Sequence, residues 1–210
     1  MEKNAPSQSK RGRFRNVDMT TLQKSALDPY WDDERAQVSY GYPLPTDNPA
    51  QMRENAVKLS QIPPQREIYE IGPFLVAGSP ESHIGPFKWA EDFLVFDGTR
   101  VLAVNDGVVT ELEESCTLWG DDPKFRDYLN YVTIKHANGE FSQYCHLEPG
   151  SATRYGIQVG SQVLEGQSIA LVGKTGWTDR DHLHFIVFRH DDHPSNPFGF
   201  KSLKVRFENI

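Results

Sequence analysis

Cysteine is scarce: the chain has two in 210 residues, Cys116 and Cys145. That number gives neither a disulfide framework nor a paired Cys-x-x-Cys zinc motif, and both thiols read as small apolar side chains. No apolar run approaches the roughly 20 residues that a membrane-crossing helix needs, so no membrane span is expected. The basic N-terminus leads into no apolar h-region. No secretory signal is therefore expected, and the default location is cytoplasmic, with export by another route left open. A His-Glu-x-x-His segment is missing too, which excludes the helical zinc site with glutamate as base. No long amphipathic helix pattern appears after residue 60.

Positive charge is sparse outside one end. Lys and Arg number 22 against 29 Asp and Glu, a net charge of −7. Residues 1–16 hold Lys3, Lys10, Arg11, Arg13 and Arg15 against Glu2, a local +4 that leaves −11 on the remainder. A domain of that charge is a poor phosphate binder, so no nucleic acid is expected as a partner. The basic tail SKRGRFR reads as solvated chain.

What is present divides near residue 66. Residues 1–66 read as a polar N-terminal extension whose aromatics, in YWDDE and YGYPLP, are placed to pack back onto the rest. It contains one short helix in DNPAQMRENAVKLS. Asn48 suits its cap, Pro49 suits its first turn, and Met52, Ala56 and Leu59 fall on one side. Residues 67–210 read as a single antiparallel all-β domain. REIYEIG, DFLVF, RVLAVNDGVVTELEE, YVTIKHANGEFSQYCHL, SQVLEGQSIALVG and HLHFIVF are β-rich runs punctuated by turn residues. NDG and ANG have hairpin chemistry. CTLWGDDPKFRDYLN is a long polar insertion, of the kind that walls or covers a site.

The chemistry-bearing residues are few. In a strand, His182 and His184 project to one face while Leu183, Phe185 and Val187 face the core. Two imidazoles together on an apolar strand need partners for their nitrogens, and a metal ion is one such partner. His146 ends the QYCHL run. Cys145 beside it is expected on the opposite face of the strand. His136, just before a hairpin, reads as structural, and His190 and His193 with Asp191 and Asp192 read as a solvated loop. Glu91 and Asp92 alternate, so one of them faces inward, where a carboxylate must be paired or ligated.

The runs AEDFLVFDGTRVLAVNDGVV, YVTIKHANGEFSQYCHL and VGSQVLEGQSIALVGKTGWTDRDHLHF together resemble the lysostaphin-like (LytM-type) zinc endopeptidases, metallopeptidase family twenty-three, over about residues 80–188. The resemblance implies an antiparallel β-sheet or sandwich of the LytM type, the duplicated hybrid motif. It also implies one Zn2+ per chain and hydrolysis of peptide bonds in peptidoglycan stem peptides or cross-bridges. By position it implies Asp92 and His184 as zinc ligands and His146 and His182 as catalytic histidines, with the general base unassigned between them.

One position departs. The family pattern is His-x-x-x-Asp, and four residues before Asp92 stands Lys88, whose protonated amine has no lone pair to offer. Either the site is degenerate and the chain is a catalytically inactive LytM-like binding or regulatory module, or a longer loop brings His83 back. Gly85 and Pro86 suit such a turn. The second reading is expected, giving His83, Asp92 and His184 as the ligand set. A sugar-phosphotransferase carrier or a lipoyl-like carrier fits less well. The first needs no ligand aspartate, and the second needs a lysine at a hairpin tip that is not apparent.

Overall fold

Val, Ile, Phe and Tyr at alternating positions favour pleated, half-buried strands, and strands dominate the chain. The computed structural model describes residues 17–32, 34–194 and 196–208. The basic tail lies outside the described residues. Two helices come first, α1 (Met19–Ser25) and α2 (Pro49–Ser60). Then come β1 (Ile68–Ile71), β2 (Phe74–Ala77), β3 (Glu91–Phe93), β4 (Arg100–Leu102), β5 (Gly107–Glu113) and β6 (Trp119–Gly120). After these follow β7 (Tyr131–Lys135), β8 (Phe141–Cys145), the short α3 (Ser151–Arg154), β9 (Gln162–Val163), β10 (Ser168–Leu171), β11 (Gly176–Trp177), β12 (Leu183–His190) and β13 (Phe200–Ser202).

One antiparallel sheet of nine strands carries the fold, in the order β1-β2-β3-β12-β8-β7-β5-β9, with β13 also on β12. Strands β4 and β10 form a small second layer, and β6 pairs with β11 in parallel. Among the described residues no helix is long and apolar enough to cross a membrane. The ANG hairpin forms as expected between β7 and β8, with Gly139 at φ +84°. The NDG turn differs. It joins β4 to β5, which do not pair with each other but belong to different layers.

The two faces of the large sheet differ. On one, Phe93, Val132, Ile134, Tyr144, Leu183, Phe185 and Val187 merge with Val101 and Ile169 of the second layer. Tyr40, Tyr42 and Leu44, from before α2, sit in this same core. Burying each such side chain stabilises by about 1.5–3 kcal/mol.

The other face is interrupted. At one end α2 lays Ala56 and Leu59 on Leu75, Ala77 and Leu94. Asn48 caps this helix by accepting from the Gln51 amide. At the other end Val17 and Leu22 of the α1 segment pack on Ala90, Phe141, Ile186 and Phe188. Between these two apolar covers, residues opposed across the strands share the face: Ala77, Asp92, His184, Cys145 and Tyr131 form one row. The polar strip of the molecule lies in that gap.

Candidate metal centre

Strand register brings the first two groups together. Asp92 on β3 is directly opposite His184 on β12, and His184 Nδ1–H donates to Asp92 Oδ1 at 2.8 Å. His182 shares the face, as the two-residue spacing requires, with Nε2 at 3.6 Å from Asp92 Oδ1. Glu91, the alternate acid, points away and accepts from the Tyr69 hydroxyl.

His83 arrives by a loop. Its amide and that of Ser82 donate to the Ser79 carbonyl at 2.7 and 3.0 Å, which curls the chain just after β2. A 3-10 turn at Gly85–Phe87 follows, with Gly85 at φ +55°, a left-handed conformation suited to glycine. The result places His83 Nε2 at 3.3 Å from Asp92 Oδ1 and 3.4 Å from His184 Nδ1. Among the described residues, these are the His, Cys, Asp or Glu ligand atoms that converge in a group of three. Lys88 takes no part. Its amine pairs with Asp32 and lies over the Trp89 ring.

His146 follows β8 with φ +62°, a region that non-glycine residues rarely visit. This excursion reverses the strand alternation. His146 packs beside His182, ring centroids 4.6 Å apart, and 6.0 Å from His184. It also corrects the expectation for Cys145, which shares the row and face of His184 rather than the opposite one. Burial pushes the Cys145 thiol up, and it donates to Gln143 Oε1, so it remains a neutral thiol.

Hydrogen bonds fix the tautomers. Nδ1–H of His146 donates to the Thr175 carbonyl at 2.7 Å, and Nδ1–H of His182 to the Arg180 carbonyl at 3.0 Å. In the neutral rings Nε2 therefore keeps its lone pair. Burial, with His182 and His184 nearby, pushes His146 down to about 3. Burial also lowers His184, opposed by its bond to Asp92. For Asp92, burial pulls upward, but His83, His182 and the bond from His184 hold it well below the usual carboxylate range. The centre thus combines one ionised carboxylate with neutral imidazoles at His146 and His184.

A cavity of about 370 Å³ opens over these groups. Met19 and Leu22 of α1 line one side, and Arg126 and Leu129 of the polar insertion, with Trp177, line another. The insertion does wall the site. His136 is structural in its contacts, with Nδ1–H donating to the Asp106 carbonyl and Nε2 accepting from Ser142. Asp191 is engaged by Tyr30 and Asn196. Sequence reading missed Ser79, whose hydroxyl donates to Asp92 Oδ2, and the carbonyls that orient the histidines. Such contacts leave no periodic or motif signal.

The family model for Peptidase family M23 matches residues 87–197. The chain belongs to this family. The fold agrees with the lysostaphin-like, LytM-type expectation. Among M23 relatives, the DD-carboxypeptidase/endopeptidase Mpg of Neisseria meningitidis is 32% identical over 125 residues, covering 60% of this chain and 25% of the relative. The peptidoglycan DD-endopeptidase ShyC of Vibrio cholerae is 31% identical over 110 residues, covering 52% and 21%. The catalytic domain of lysostaphin from Staphylococcus simulans is 24% identical, covers 63% of this chain and 84% of that domain, and superposes with a TM-score of 0.38. The chain thus spans about a quarter or less of those two curated relatives. The M23 match begins at residue 87, after His83.

Proposed function

We propose that this chain is a zinc-dependent endopeptidase that hydrolyses peptide bonds in peptidoglycan stem peptides or cross-bridges. His83, Asp92 and His184 would hold one zinc, and His146 and His182 would handle protons. The observation that carries this reading is the convergence of His83 Nε2, Asp92 Oδ1 and His184 Nδ1. Ligands roughly 2.0–2.1 Å from a tetrahedral zinc lie roughly 3.3–3.4 Å from one another. Two of the three separations here are 3.3 and 3.4 Å, and the third is 2.8 Å, a hydrogen-bond distance that an ion would replace. Three protein ligands suit a catalytic rather than a closed structural site. Family membership and relatives named as peptidoglycan endopeptidases support the substrate class.

Bound zinc would supply Lewis acidity toward the scissile carbonyl and lower the pKa of a water molecule. The rest is done by the chain. The free Nε2 of His146 or His182 accepts the proton of the attacking water. The resulting imidazolium is held by its Nδ1–H bond to Thr175 or Arg180, then returns the proton to the leaving amine. Met19, Leu22, Leu129 and Trp177 make the wall apolar, which strengthens these charge interactions. Lys88 is turned to Asp32, so it brings no positive charge among the ligands.

Elemental mass spectrometry of the purified protein, run beside peptidoglycan digestion, tests the proposal. About one zinc per chain is expected in the wild type and is lost in His83→Ala. His146→Ala keeps its zinc and loses hydrolysis. Zinc retained in His83→Ala overturns the ligand set. Failure to bind zinc after reconstitution overturns the enzyme reading in favour of a non-catalytic module.

A further inference from the structure

Ser79 is 6% exposed and touches two of the three candidate ligands by different atoms. Its hydroxyl donates to Asp92 Oδ2, and its carbonyl accepts the His83 amide at 2.7 Å. The direction of the hydroxyl is not free. Arg66 Nη1–H donates to Ser79 Oγ at 3.2 Å, and a guanidinium offers no lone pair. The serine oxygen must therefore accept from Arg66 and send its single proton to Asp92. Arg66 is anchored in turn, at 2.9 Å, by Asp179, which also pairs with Arg180. Arg180 donates to the Pro64 carbonyl at 2.7 Å, just beyond α2. Oδ2 of Asp92 is thus occupied from behind, while Oδ1 is the oxygen facing His83, His182 and His184.

We propose that Ser79 is the positioning residue of the metal centre. Its hydroxyl orients Asp92 so that only Oδ1 meets the ion, and its carbonyl holds the turn that returns His83. The proposal rests on the zinc reading above. Groups hydrogen-bonded to metal ligands typically contribute 10–100-fold to metal affinity. Ser79 differs from an ordinary turn residue in linking a ligand on β3 to a ligand in the loop.

The test compares zinc affinity, by competition with a chromophoric chelator, and the visible absorption of the Co2+-substituted protein. Ser79→Ala removes the hydroxyl and keeps the carbonyl. It is expected to weaken zinc by about 10–100-fold and change the cobalt spectrum. The metal-free thermal midpoint, measured separately, reports folding alone. Ser79→Thr returns the hydroxyl and is expected to regain affinity and spectrum. If Ser79→Ala does not fold, the pair Ser79→Thr and Ser79→Val decides, because the two side chains share a shape and differ in the hydroxyl. Weaker zinc and an altered cobalt spectrum in Ser79→Val relative to Ser79→Thr support the proposal, and equal affinity and spectrum overturn it. Wild-type affinity and spectrum in Ser79→Ala, or Ser79→Thr no better than Ser79→Ala, also overturn it while leaving the zinc reading intact. A wild type that binds neither metal overturns both.

Discussion

Asp92 and His184 stand opposite each other on β3 and β12, whereas His83 and His146 reach the same point from loops. The strand pair is held by the whole ladder. Moving either residue means breaking hydrogen bonds on both sides and uncovering Phe93 and Phe185, both fully buried. The loop half depends on local contacts. For His146 these are the Thr175 and Gly173 bonds around a left-handed backbone. For His83 they are the bonds to the Ser79 carbonyl and, for the turn that follows, contacts from the N-terminal segment. α1 packs on Gly85, Trp89 Nε1–H donates to the Trp31 carbonyl at 3.1 Å, and Lys88 pairs with Asp32. Residues 17–32 lie outside the span matched by the family, yet they buttress the loop of His83, the proposed ligand whose position departs from the expected spacing. The proposed ligand off the expected spacing thus takes support from residues outside the matched span.

The largest expected effect strikes the loop half alone. Gly85→Ala is penalised twice: φ is +55°, and a Cβ would sit 2.5 Å from Ser25 Oγ and 3.2 Å from Leu22 Cδ1. It is expected to weaken zinc by about 10-fold or more, as loss of ligand support typically does. Gly98→Ala is the control, with φ +81° and nothing within 4 Å of the new Cβ. It carries backbone strain of about 1–2 kcal/mol and is expected to leave zinc affinity alone. Equal affinities in the two variants, read by chelator competition, would break the contrast between the halves.

Leu22→Ala comes next. Leu22 is 2% exposed, between Gly85 and the Ile186–Phe188 patch. Its truncation is expected to cost about 2–5 kcal/mol, read from the denaturant midpoint. The location of the loss is the sharper readout. Amide exchange should quicken in residues 82–90 and hold steady in β3 and β12. Uniform quickening would mean that the strands lean on α1 as much as the loop does.

This division also sets what was legible in the sequence. His182 and His184 could be read together because strand side chains alternate with period two, whereas alternation left Glu91 and Asp92 open and only the family resemblance pointed to Asp92. Strand β2 escaped notice because all four residues, Phe74–Ala77, are buried and so show no alternation. Cys145 was placed on the wrong face because the left-handed φ of His146 undoes the alternation on which that placement relied. The α2 cap at Asn48 was legible, since side-chain capping is local chemistry. His83 was legible only as one of two readings. Whether eight residues between it and Asp92 loop out or fold back depends on α1, Trp31 and Asp32, more than 50 positions earlier, and no local pattern encodes that.

The smallest expected effect concerns Lys88, the residue that breaks the family spacing. Its ion pair with Asp32 is partly exposed, with side-chain exposures of 34% and 49%. Lys88→Met is therefore expected to cost at most about 1 kcal/mol and to leave zinc affinity unchanged. The more telling variant restores the family spacing. In Lys88→His, an imidazole stands four residues before Asp92, but at a position whose side chain is turned toward Asp32 rather than toward the ligands. Combined with His83→Ala, it is expected to regain no zinc, because the 3-10 turn at Gly85–Phe87 and the α1 contact fix which way position 88 points. Zinc regained in the double variant would mean that this loop accommodates either register. The ligand would then be chosen by which position carries histidine, and the buttress from residues 17–32 would not decide it.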